Sequence, residues 1–332
     1  MKGIVLNRSL PSGIEFKEVN LPELKPGEVK VAIKAAALNH RDEWCRQGLY
    51  RNLEDGKILG SDGAGIVVAV GSEFDSNLIG KQVLVNPALN WGDNQLAQNE
   101  HFDILGMPSN GTLAEELIVP KDRIYEKPFH LTWEEAAALP LAGLTAFRAL
   151  TYQGQVQAGE NVLITGFGGG VAQFAAQFAI SLGAKVSVSS SDVTKLEKAK
   201  EIGVLHTFNY KNEDWTERAL ASTGGFDLII DSASGNSINN LIQVAKPGGR
   251  IVIYGATTGN PESFNARKVY WNQLKIMGST MGSDRDFEQM LEFVNQYKIR
   301  PIIDQVFSLD QAEVAFDRMR SGTQMGKIVL VP

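Results

Sequence analysis

The sequence predicts an α/β chain in which a doubly wound parallel sheet is inserted in a mostly β part. Three observations predict it. From Asn161 onward, short apolar strands alternate with helical stretches. A glycine-rich turn separates the first of those strands from the first of those helices. Before Pro120, short apolar runs are instead divided by glycines and prolines, as in a small barrel or sandwich. The 332 residues suffice for about two domains.

Composition narrows the function classes. Hydrophobic residues make up 43% and charged residues 21%, so long disorder is not expected. Lys and Arg number 32 against 38 Asp and Glu, a net charge of −6 with no basic run, which gives no footprint for nucleic acid. No apolar stretch approaches the ~20 residues needed to span a membrane. The start, Met1 to Leu6, turns polar at once and reads as a strand, not as a signal peptide. The single cysteine, Cys45, forms no internal disulfide and supplies no thiolate cluster for a structural metal. The expected setting is the cytoplasm and the expected partner a small molecule.

The β part is carried by Glu28 to Ile33, which alternates strictly, then Gly65 to Gly71 and Gln82 to Val85. The polar segment from Asn86 to Asn110 reads as an excursion from the sheet. Thr132 followed by Glu135 forms a capping box before an apolar run, and Gly143 to Tyr152 is a second helical pattern. Strands follow at Val162–Thr165, Lys185–Val188, Phe226–Asp231 and Arg250–Tyr254, with helices at Val171–Leu182, Asp192–Ile202 and Ile238–Ala245 between them. A long helix from Asp284 to Tyr297, another near Leu309 to Arg320 and a strand from Lys327 to Val331 close the chain.

The strongest local signal is Gly166-Phe167-Gly168-Gly169-Gly170-Val171-Ala172, directly after a strand and opening a helix. Gly166 permits the tight turn, and Gly168 lets the backbone approach a pyrophosphate. The free N–H groups of the turn and the positive helix end favour that charge, and Gly169, Gly170 and Val171 are counted with them as cofactor-binding residues. The next strand ends in Ser189-Ser190-Ser191-Asp192, with Lys195 one helical turn on. Ser190, Ser191 and Lys195 suit a ribose 2′-phosphate, so NADP is expected over NAD. The competing possibilities are a serine N-cap cluster and a ribose held by Asp192.

The sequence resembles the medium-chain dehydrogenase/reductase superfamily, on its zinc-free quinone oxidoreductase-like side. The marks are Ala37-Leu38-Asn39-His40-Arg41-Asp42, Gly48-Leu49-Tyr50, Leu59 to Val67, Leu139 to Ala146, the glycine turn and Lys246 to Arg250. The resemblance implies a GroES-like catalytic domain split over residues 1–122 and 269–332, with a Rossmann dinucleotide domain over 123–268 inserted in it. It also implies an active site in the cleft between the two, and a homodimer paired through the dinucleotide domain.

The positions that match the three catalytic zinc ligands of the alcohol dehydrogenases carry Asn39, Ser61 and Leu141. Arg41 matches their proton-relaying hydroxyl, and the lobe from Asn86 to Asn110 has no cysteine. No zinc is therefore expected. Zinc-free relatives reduce quinones or activated C=C bonds, whose conjugation needs less Lewis-acid help. On this resemblance the catalytic candidates are Asn39, Tyr50 and Asp42. Asn39 donates to the substrate oxygen or is a turn former. Tyr50 lines the substrate cleft and donates a proton or simply packs. Asp42, the acidic residue common to the superfamily, acts there or holds the loop by backbone hydrogen bonds. Thr145 lies on the nicotinamide side, and Gly255 follows a strand at the ligand-binding edge. His101, His130 and His206 read as loop or surface residues. An alcohol dehydrogenase or carbonyl reductase, and a cofactor-binding protein with little catalysis, are the alternatives.

Overall fold

A computed structural model describes every residue from Met1 to Pro332. The chain forms two compact units, Met1–Ala142 with Gly282–Pro332, and Gly143–Met281. Both joints lie C-terminal to those expected at 122 and 269. Strand Ile124–Glu126 pairs with Gln82–Val85, and helix Trp133–Ala138 packs on strands Glu28–Ala37 and Asp62–Val70; both belong to the first unit. Strand Lys275–Gly278 pairs with Ala245–Ile253 and so belongs to the second.

The first unit is built on a seven-stranded sheet. Its central strand, Glu28–Ala37, pairs antiparallel with Asp62–Val70, Glu116–Pro120 and the last strand, Lys327–Val331. The strict alternation read from Glu28 onward buries Val29, Val31 and Ile33 on one face, the period of a half-buried strand. They join Leu38, Val67, Leu117, Phe316, Ile328 and Leu330 in one core. Each fully buried side chain of this size contributes about 1.5–3 kcal/mol. The capping box at the start of Trp133–Ala138 is present: Thr132 N–H donates to Glu135 Oε2 at 2.8 Å, and Glu135 N–H to Thr132 Oγ1 at 3.2 Å.

The lobe from Asn86 to Asn110 is held without cysteines. Two short strands, Ala88–Leu89 and Asp103–Ile104, pair antiparallel, and buried Trp91 meets Phe102 edge to face at 5.2 Å.

The second unit is a six-stranded, all-parallel sheet. From edge to edge its strands are His206–Asn209, Lys185–Ser190, Asn161–Ile164, Phe226–Asp231, Ala245–Ile253 and Lys275–Gly278. The chain winds outward in one direction from Asn161–Ile164 and then in the other from Phe226–Asp231. The order therefore reverses between these two strands, where such sheets bind ligands. Helix Gly170–Ser181 follows the first strand as expected. The helix expected from Gly143 starts earlier, at Pro140, and runs to Arg148. Proline fits a first helical turn because that turn needs no N–H from it. A π-helical turn, Ala149–Gln153, then ends the segment.

Candidate active site

In the first unit the chain leaves strand Glu28–Ala37 in extended form at Asn39 and enters helix His40–Arg46. The sequence reading did not expect this helix, because charged residues hide its period. Asp42 explains how it starts: its Oδ2 accepts the Asn39 N–H at 2.8 Å. Asp42 is fully buried and anchors the backbone that carries Asn39, the loop-holding role that its position allowed beside a catalytic one. Burial pushes its carboxyl up from 3.8 to about 6, against the pull of the Arg41 guanidinium.

An acid whose folded pKa lies above its unfolded value stabilises the fold below the unfolded value and loses that contribution as pH rises through the folded one. Asp42→Asn is therefore expected to gain on the wild type between about pH 4 and pH 7, by on the order of 3 kcal/mol. Denaturant unfolding of both proteins across that range checks it, and a constant difference would remove the assignment.

The Asn39 carboxamide lies between two charges. Lys327 Nζ donates to Asn39 Oδ1 at 2.6 Å and to Asp62 Oδ2 at 2.9 Å, and Asn39 Nδ2 donates to the same Asp62 oxygen at 3.0 Å. The other Asp62 oxygen accepts the Leu141 N–H at 2.8 Å. Lys327 is 2% exposed, Asp62 0% and Asn39 7%, so this is a desolvated ion pair closed by hydrogen bonds. The sequence reading missed Lys327. A lysine opening an otherwise apolar strand, after Gly326, was the available signal.

Arg41 makes the second cluster. One guanidinium nitrogen donates to Ser61 Oγ at 2.6 Å and to the Leu105 carbonyl at 2.8 Å, while the other reaches the Ile104 and Met107 carbonyls at 3.3 and 3.4 Å. The guanidinium carbon lies 4.8 Å from the centre of the Tyr50 ring, and Nε donates to the Tyr50 hydroxyl at 3.4 Å. Arg41 thus ties the lobe to Ser61 and fixes the face of Tyr50.

In the second unit the glycine turn has the expected strand–turn–helix setting. Gly166 and Gly168 have φ of +66° and +122°, and Gly169 is the N-cap of helix Gly170–Ser181. The Phe167 N–H donates to the Ser189 carbonyl at 2.9 Å, which sets the turn against the tip of the second strand. The Lys195 side chain lies over Gly168: a Cβ added there would stand 2.5 Å from Lys195 Cδ. Ser190 Oγ accepts the Asp192 N–H at 3.3 Å, and Ser191 is exposed. Asp192 caps the next helix, accepting from the Thr194 and Lys195 N–H groups at 2.8 and 3.3 Å. The N-cap is therefore the aspartate and not the serines, which leaves the serines at the strand tip.

A buried link closes the point where strand order reverses. Thr165 Oγ1 donates to Asp231 Oδ1 at 2.6 Å, Ser234 N–H to Asp231 Oδ2 at 2.7 Å, and Ser232 N–H to Thr165 Oγ1 at 3.2 Å. Sequence reasoning assigned Asp231 only to a strand. Gly255 lies beside this link, where a Cβ would stand 2.9 Å from the Ser232 carbonyl oxygen. Thr145 is buried, with its hydroxyl 3.8 Å from Met281 Sδ. Of the three histidines set aside, His101 is exposed, His130 bonds the Ile299 carbonyl at 3.0 Å and His206 lies on an edge strand.

A Rossmann sheet with this turn at its crevice, joined to a GroES-like unit, defines the class of nicotinamide-dependent dehydrogenases and reductases. Comparison with known proteins agrees. Residues 25–129 match the alcohol dehydrogenase GroES-like domain, and residues 170–296 match the zinc-binding dehydrogenase domain. A zinc-type alcohol dehydrogenase-like protein, YogA, of Leptosphaeria maculans is 35% identical, over 96% of this chain and 94% of its own. A crotonyl-CoA reductase of Streptomyces avermitilis is 29% identical, over 96% of this chain and 82% of its own. The crystal structure of an NAD-dependent alcohol dehydrogenase superposes with a TM-score of 0.93 at 35% identity, over all of both chains. The chain belongs to the medium-chain dehydrogenase/reductase superfamily and is an NAD(P)-dependent oxidoreductase. No helix is long and apolar enough to cross a membrane.

Proposed function

We propose that the chain is an NADPH-dependent reductase that passes hydride to a quinone or an activated C=C bond without catalytic zinc. The observation that carries this reading is the ammonium of Lys327 on Asn39 Oδ1 and Asp62 Oδ2. The description of the family matched over residues 170–296, a zinc-binding dehydrogenase, implies a metal, and the donor set at Asn39, Ser61 and Leu141 does not fit one. Leu141 offers only a backbone N–H, already given to Asp62. Ser61 Oγ is held by Arg41, and a zinc ion and an ammonium cannot share the same two oxygens. An unactivated alcohol would lack the Lewis acid that lowers its pKa, whereas a conjugated acceptor spreads the developing charge itself.

The bound dihydronicotinamide supplies the hydride. Gly166, Gly168, Gly169, Gly170 and Val171 would hold its pyrophosphate, Thr145 and Gly255 would line the nicotinamide side, and Ser190, Ser191 and Lys195 would take the 2′-phosphate. The use of Asp192 Oδ1 as a helix cap supports NADPH, because that oxygen already accepts two backbone N–H groups. Asn39 would donate to the acceptor's oxygen. Tyr50 is suited to deliver the proton: its oxygen accepts from Arg41 Nε, so its own O–H is left to donate. A homodimer is part of this reading, supported by the exposed Tyr270 and Trp271 beside edge strand Lys275–Gly278.

The test is NADPH oxidation by the purified chain against quinones, enones, aldehydes and ketones, with zinc measured on the same sample. Turnover of quinones or enones without metal is the expected result. Zinc at one equivalent per chain, or turnover confined to aldehydes or ketones, would favour the alcohol or carbonyl reading suggested by the name of the Leptosphaeria relative. Ser190→Asp with Lys195→Ala should move preference toward NADH by roughly tenfold or more, given ~1.4 kcal/mol per decade. An unchanged NADPH/NADH ratio would sink the ribose assignment.

A further inference from the structure

We propose that Lys327 and Asp62 are positioning residues that lock the Asn39 carboxamide in one orientation, so that its second Nδ2–H serves the substrate oxygen. This rests on the reductase reading above and names how its oxyanion donor is set. A carboxamide can sit either way round with nearly the same shape, and only its partners decide which end is which. Here the partners decide it completely. An ammonium only donates, so it must face Oδ1; a carboxylate only accepts, so it must face Nδ2. Turning the amide over would place two donors together at 2.6 Å and two acceptors together at 3.0 Å.

One hydrogen of Nδ2 is then spent on Asp62, and the other meets no protein acceptor. The cation on Oδ1 draws electron density from the amide and makes that remaining N–H a stronger donor. Lys327 and Asp62 cancel in charge, so the site gains a directed dipole without a net charge. As hydride reaches the carbon conjugated to the carbonyl, negative charge collects on the carbonyl oxygen. A donor fixed in advance stabilises that charge with no reorganisation.

Lys327→Met keeps the stem and removes the ammonium. With an enone substrate, kcat should fall roughly 10- to 100-fold while KM and NADPH affinity change by less than about threefold. Lys327→Arg should recover part of the loss. In an Asn39→Ala background the same Lys327→Met change should cost little more, because the lysine acts through the amide. Equal losses in both backgrounds, or a fall explained wholly by a smaller folded fraction, would overturn the proposal.

A measurement that needs no turnover separates this from the reductase reading. In protein labelled with ¹⁵N-asparagine, the Asn39 side-chain amide pair, identified by its loss in Asn39→Ala, should shift in Lys327→Met. An unmoved pair overturns the lock. A shifted pair in a wild-type protein that reduces no quinone or enone upholds the lock and overturns the reductase reading alone.

Discussion

Gly168→Asp is expected to abolish dinucleotide binding in a chain that still folds. Two effects add. The backbone at Gly168 has φ of +122°, a region that side chains rarely adopt, and the new Cβ would stand 2.5 Å from Lys195 Cδ. The carboxylate would also lie where the helix end and turn N–H groups favour an anion, repelling the pyrophosphate and drawing the nearby Lys195 ammonium to itself. A loss of at least about a hundredfold in affinity, ~2.8 kcal/mol, is expected. Fluorescence titration with NADPH measures it, with circular dichroism confirming the fold. Gly168→Ala carries the strain without the charge and should lose less. Retained affinity in a folded Gly168→Asp would mean that the turn is not the phosphate cradle.

Arg41→Met is expected to be the most destabilising single change in the first unit's polar interior. The guanidinium is 5% exposed and bonds Ser61 Oγ and three lobe carbonyls, while its charge stands 3.9 Å from buried Asp42. Methionine fills much of the stem's volume but leaves those acceptors unbonded and the carboxylate without its cation. Removing one member of such a buried set costs about 3–5 kcal/mol. Denaturant unfolding checks the sum, and faster hydrogen exchange at lobe residues 104–107 would locate it. A loss below about 1 kcal/mol would place Arg41 among the ordinary surface charges. The expected result explains how the lobe does without cysteines: one arginine bonds three of its carbonyls.

The fold was legible where the signal is local and periodic. The alternation from Glu28, the Thr132–Glu135 capping box and the strand–glycine–helix sequence at Gly166 each depend on residues a few positions apart. The reading is therefore sound at that range. Site chemistry was legible in part. Asn39 and Tyr50 stood out by resemblance, and each lies in a polar cluster. Asp42 stood out too, yet it is sealed in the interior, because burial is set by what packs above it from other segments. Lys327 could not be paired with Asn39 from sequence, since 288 residues separate them and only the antiparallel pairing of the last strand with the central one joins them. The domain joints were missed because Ile124–Glu126 and Trp133–Ala138, which follow the turn in composition at Pro120, pack back onto the sheet that precedes it.

That last strand bears on how the protein is made. Synthesis runs from the N- to the C-terminal side, and the unit Gly143–Met281 is continuous, so its sheet has all its strands before Lys327–Val331 is made. The other unit must wait. Strand Glu28–Ala37 emerges early but lacks its neighbour, Lys327–Val331, until after the whole unit between them is made. Through that interval Asn39 has no ammonium to face and Asp62 no cation to answer. The growing chain therefore holds a parallel sheet before it holds the Asn39–Lys327–Asp62 cluster, and loss of Lys327–Val331 would leave the first and spoil the second.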